Sequence, residues 1–67
     1  MDVRRRLSRN LIRIRGEFGW SQEELADQAG VHRTYVSGVE RGVRNPTITV
    51  VERLAKALKV TVSRLLE

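Results

Sequence analysis

Residues 22 to 41, QEELADQAGVHRTYVSGVER, restrict the fold more than any other stretch of this chain. They require two short helices to cross at close range through a sharp turn. Ala26 carries nothing beyond Cβ to obstruct an approaching helix. Gly30 follows four residues later, where the first helix has to stop, and glycine enters the left-handed turn conformation without steric cost. Val36 and Val39 then fall on the inner face of the second helix.

A small residue, a glycine four later and a branched apolar residue six after that is the spacing of a helix-turn-helix. Such a unit leaves its second helix free to enter a DNA major groove. The rest of the chain alternates helical apolar patterns with short punctuation, with no repeat, low-complexity segment or internal linker, so an all-α fold in one domain is expected. Helix 1 is expected over about residues 2 to 16. Val3, Leu7, Leu11, Ile14 and Phe18 form its apolar stripe, and Gly16 and Gly19 end it. Ser21 and Glu24 have the spacing of a capping box that starts helix 2, which points Leu25 and Ala29 inward and closes at Gly30. Helix 3 is expected from about His32 to Arg41, with Gly42 as its stop and Pro46 in the following loop. Thr47 caps helix 4, which runs to about Lys59 with Ile48, Val51, Leu54, Ala55 and Leu58 inward. Thr61 caps a short helix 5 carrying Val62, Leu65 and Leu66.

Turning helix 3 by about 100° per residue separates its faces. With Val36 at zero, Thr34, Gly38 and Arg41 lie at about 160°, 200° and 140°, opposite the core, and Arg33 and Ser37 flank them. A face of small polar groups and guanidinium suits close approach to base edges. Arg33 can bond guanine O6 and N7 together, Thr34 can meet a thymine methyl or a base edge, and Ser37 can reach a base or phosphate. Gly38 reads nothing itself but lets the helix sit deep. Phosphate contacts are expected from Gln22 at the start of helix 2, from His32 unless it serves as the cap of helix 3, from the hydroxyl of Tyr35 if it does more than pack at the rim, and from Arg41, Arg44 and Asn45 at and beyond the end of helix 3, where Asn45 can instead shape the turn. Singly, each of these side chains reads as solvated surface; the pattern around them assigns them to DNA. Glu40 lies close to the core face and needs a partner there; Arg15, at the end of helix 1, is the expected one. That pair orients helices rather than performing chemistry.

Composition narrows the classes. Net charge is +5 over 67 residues, and Arg outnumbers Lys among the 13 cations, as suits phosphate and guanine. There is no Cys and one His, which argues against a disulfide framework, a metal site or a nucleophile–base pair. No apolar run approaches a membrane span, so a cytoplasmic protein without membrane contact is expected. Nothing calls for a cofactor, and Glu23, Glu24 and Asp27 read as a solvated helix face rather than a catalytic cluster.

The run SQEELADQAGVHRTYVSGVERGVRNPTI, with LAKALKV and a short helix after it, resembles the Cro/repressor (XRE-type) helix-turn-helix family. Within that family, HRTYVS followed by VERGVRN is similar to the controller proteins of restriction–modification systems. The resemblance covers about residues 7 to 66. It implies a compact five-helix, lambda-repressor-like domain that regulates transcription as a homodimer on a palindromic double-stranded DNA operator. By this resemblance Arg33, Thr34 and Gly38 hold base-facing positions, Gln22 a phosphate position, and Arg15 with Glu40 the structural ion pair. The family often carries a larger polar residue where this chain has Gly38. The dimer surface is expected at helices 4 and 5, from Val60, Val62, Leu65 and Leu66. The competing reading is an antitoxin or co-activator acting mainly through a protein partner.

Overall fold

The computed structural model describes residues 2–67, which form five helices. Helix α1 spans Val3–Phe18. Asp2 caps it, its Oδ1 accepting the Arg4 N–H at 2.7 Å. Of the two candidate stops, Gly19 is the real one. It sits at φ 70°, while α1 runs through Gly16, where an added Cβ would meet nothing within 4 Å. Leu7, Leu11 and Ile14 are buried. Val3 and Phe18, at the two ends of the same stripe, overhang the core and are exposed, with Phe18 leaning on Trp20 at a ring separation of 4.5 Å.

Helix α2 spans Gln22–Ala29 and ends at Gly30, φ 71°. Ser21 Oγ accepts the Glu24 N–H at 3.0 Å. The Glu24 carboxylate does not complete a capping box; it accepts from Gln28 Nε2 at 2.9 Å. Leu25 and Ala26 are buried, whereas Ala29 is half-buried. Helix α3 spans Arg33–Glu40, with His32 as its N-cap and Gly42 at φ 74° just beyond its end. Val36 and Val39 are buried against α1 and α2, as their spacing requires.

Helix α4 spans Ile48–Ala57 and is capped by Thr47, whose Oγ1 accepts the Val50 N–H at 3.3 Å. It stops before Lys59, which takes φ 59°, a conformation that normally selects glycine. Val51, Leu54, Ala55 and Leu58 are buried. Ile48 is not: it is 62% exposed, at the first position of α4. Helix α5 spans Val62–Leu66, with Thr61 Oγ1 accepting the Arg64 N–H at 3.0 Å. It packs on α1 and α4. Asn10, buried in α1, donates from Nδ2 to the Leu65 carbonyl at 2.9 Å and so ties the last helix to the first. A helix of one turn does not hold itself in water, and this bond with the burial of Leu65 supplies what local propensity lacks.

Candidate DNA-contacting surface

The second helix of the motif is held from behind by one carboxylate. Glu40, at the end of α3, has a side chain only 3% exposed. Arg15 grips it with two bonds, Nε to Oε2 at 2.7 Å and a terminal nitrogen to Oε1 at 3.0 Å. Arg15 also donates to the Trp20 carbonyl at 2.8 Å, and Gln22 donates from Nε2 to Glu40 Oε1 at 2.8 Å. Ser8 Oγ donates to the Glu40 backbone carbonyl. Hydrogen bonding to Glu40 moves the Arg15 guanidinium further up from its ordinary value, against the opposing effect of burial. The arrangement joins the end of α1, the start of α2 and the end of α3, so the angle at which α3 stands out from the molecule is fixed by charge as well as by Val36 and Val39. Ser8, Asn10 and the Trp20 carbonyl had no sequence signal, because each acts on a partner remote in sequence or on backbone.

At the other end of α3, His32 Nδ1 accepts the Thr34 N–H at 3.1 Å and lies 2.8 Å from Thr34 Oγ1. An Nδ1 that accepts a backbone bond carries no proton, so the imidazole proton is on Nε2 and the Thr34 hydroxyl donates. The cap thereby orients Thr34. Arg33 and Thr34 are exposed, Ser37 is half-buried and Arg41 is exposed, so the outward face of α3 is open along its N-terminal turn.

Gly38 departs from expectation. It lies on the outward face by helical angle, yet it is buried. Arg44, from the loop after α3, folds back over it. A Cβ on Gly38 would come within 2.7 Å of Arg44 Cγ and 2.8 Å of its Cδ. The guanidinium carbon of Arg44 stands 5.0 Å from the Tyr35 ring centroid, a cation–π distance. The Val43 and Arg44 N–H groups both donate to the Gly38 carbonyl, at 3.1 and 3.2 Å, which clamps the loop to the last turn of α3. Gly38 is thus not an open floor for DNA, and Tyr35 carries Arg44 as well as standing at the rim. Gln22 is likewise engaged, its amide committed to Glu40, while Asn45 is exposed in the loop.

Leu65 is excluded from any surface role in the folded chain, being fully buried beneath α1 and α4. Val60, Val62 and Leu66 are half-buried. Leu66 joins Val3, Ile48 and Pro46 along a shallow apolar recess, with Asn45 at its rim. Among the described residues no three Asp, Glu or His side chains converge as metal ligands, and no helix is long and apolar enough to cross a membrane.

A helix anchored by a buried ion pair, with its N-terminal turn open and Arg33 and Arg41 exposed along it, is the working part of a DNA-binding transcriptional regulator, not of an enzyme. The chain belongs to the Helix-turn-helix family, whose pattern matches residues 11–65. It is 44% identical to control protein C.SmaI of Serratia marcescens over 98% of this chain and 79% of that protein. The crystal structure of hypothetical transcription factor NHTF from Neisseria superposes with a TM-score of 0.95 at 47% identity, covering 98% of this chain and 76% of that one. The chain spans 61% of the length of the hypothetical transcription factor it matches from Neisseria meningitidis. The restriction–modification controller protein C.AhdI from Aeromonas hydrophila is similar at TM-score 0.88 and 39% identity, over 92% of this chain and 94% of that one.

Proposed function

We propose that this protein is a homodimeric, sequence-specific regulator of the restriction–modification controller kind, acting in the cytoplasm on a palindromic operator. The observation that carries this reading is the open N-terminal turn of α3, where Arg33 and Thr34 are exposed on a helix whose orientation Glu40 fixes. In this reading Arg33, Thr34 and Ser37 meet base edges. The N–H groups at the start of α2 beside Gln22, together with His32, Tyr35, Arg41 and Asn45, hold phosphates, which set register without carrying sequence. The homodimer forms across the recess of Val3, Ile48 and Leu66, with Val60 and Val62 nearby. That recess includes Asn45 and Pro46 of the loop after α3, so a dimer formed there lies close to the DNA-contacting helix.

Selection of bound fragments from genomic DNA by the purified protein, at near-physiological salt, tests the reading. A two-fold symmetric motif with half-sites about 34 Å apart is expected. Diffuse binding that vanishes as salt rises, the mark of phosphate contacts alone, overturns it. One observation favours a second reading, a protein partner: Ile12 is 45% exposed in a recess flanked by Arg5, Arg9 and Arg13. A stoichiometric protein complex formed without any specific DNA site would support that alternative.

A further inference from the structure

We infer that the recess on the outer side of α1 docks an acidic amphipathic helix of another protein, held there while α3 stays free for DNA. The inference goes beyond the regulator reading and rests on the α1 recess alone. Arg5, Arg9 and Arg13 follow one another at steps of four and form one row along α1. Arg41, just beyond α3, faces them across the recess. Ile12 stands among them, 45% exposed, on the same helix face as Arg5 and Arg9. Among the described residues no carboxylate lines the recess, and Arg5, Arg9 and Arg41 form no salt bridge. Only Arg13 has one, to Glu17 at 3.5 Å. Like charges at this spacing repel along a helix, so the row weakens α1 and finds its counter-charge outside the molecule. A partner helix repeats its side chains at the same pitch, about 6 Å for every four residues. Two carboxylates one turn apart then meet Arg5 and Arg9 while an aliphatic side chain covers Ile12. A DNA backbone supplies the charge but no aliphatic group. The recess also borders the end of α3 remote from Arg33: Ser8, in its wall, donates to the Glu40 carbonyl. The acidic face of α2 in a second copy fits less well, because Glu23 and Asp27 have the spacing but α2 exposes no large apolar residue beside them.

The probe is a short synthetic helical peptide with Glu one turn apart and a Leu on the same face, titrated into the isotope-labelled full chain and followed by amide shifts. Amides along Arg5 to Arg13 and at Gly42 are expected to move, and those of Arg33 and Thr34 to stay. Replacing the peptide's Leu by Ala is expected to weaken binding by about tenfold. Ile12→Ser and Arg9→Gln in the chain are each expected to weaken it comparably while leaving any DNA motif selected by the wild type unchanged. Arg9→Gln alters only an exposed side chain, so it reports even where Ile12→Ser lowers stability. The inference is overturned if no amide of the recess moves, or if binding survives loss of the peptide's Leu and is charge attraction alone. It is overturned equally if the same amides move on adding duplex DNA without an operator, which assigns the row to phosphate. Movement on raising the protein concentration without peptide overturns it too, and assigns the recess to a second copy. The regulator reading stands through all of these outcomes, since it depends on the symmetric DNA motif and not on the peptide.

Discussion

Arg33 and Glu40 sit at opposite ends of one short helix and fail in different ways when removed. Arg33 is exposed and makes no hydrogen bond to a carboxylate among the described residues, so its loss leaves the fold untouched. Arg33→Ala is expected to cost about 1–3 kcal/mol at the cognate operator and much less on unrelated DNA, as measured by titration on both. An unchanged preference between the two would remove Arg33 from base readout. Glu40 is different, because its partners are committed to it. Glu40→Ala strands the partly buried Arg15 guanidinium and frees the Gln22 amide, and about 3 kcal/mol of stability is expected to go, read from the urea midpoint. For a domain this small that is a large part of the total, so binding is expected to fall for all DNA sequences together. A normal urea midpoint in that variant would show that α3 is held by Val36 and Val39 alone. Partnership was legible in the sequence for Glu40 because a carboxylate at a core-facing angle demands a cation. It was not legible for Arg44, whose place depends on a fold-back over a residue with no side chain to advertise the contact.

At the level of the helices, caps were readable and exposure was not. Ser21, Thr47, Thr61 and Gly30 each act on backbone groups within a few residues, so local sequence suffices to find them. Gly16 and Gly19 both satisfy the rule for a helix stop, but Gly19 alone takes the left-handed conformation, and its N–H closes the last turn on the Arg15 and Gly16 carbonyls. The distinction has a measurable consequence. Gly16→Ala is expected to stabilise the protein by about 0.5–1 kcal/mol, since the site is helical and open. Gly30→Ala, at φ 71°, is expected to destabilise it by at least as much. Thermal melts of the two variants check the opposite signs. Lys59→Gly is expected to stabilise, because lysine now bears the left-handed strain at the end of α4. Periodicity also misjudged Ile48. It reports that a residue is apolar on the inner side of its own helix, but not whether another element covers that side. The cap of α1 adds a pH term: the Arg4 side chain and N–H, in that order, hold the Asp2 carboxyl below its usual 3.8. A group with a lowered folded value stabilises above its unfolded value and loses that effect as pH falls through the folded one. Fraying at the start of α1 is therefore expected only in acid, below about pH 4, and amide exchange at Arg4 follows it.

Considered whole, the molecule has two distinct faces joined at the loop after α3. One carries Arg33, Thr34 and Arg44; the other carries the apolar recess of Val3, Ile48 and Leu66. Ile48 is 62% exposed, an apolar residue whose burial awaits a second copy in the proposed dimer. Ile48→Asp is expected to shift sedimentation to the monomer and to weaken operator binding at least tenfold, with helix content unchanged, since the side chain has little cover in the isolated chain. A dimer that survives this change would move the two-fold axis elsewhere.

The bond from Asn10 to the Leu65 carbonyl spans 55 residues of sequence. During synthesis α1 is made before α5, so Asn10 and the apolar side chains beside it wait, partly uncovered, until Leu65 has emerged. The closing step in folding these five helices then waits for α5, and a nascent chain that stalls before Leu65 has its motif in sequence but no finished core to present it.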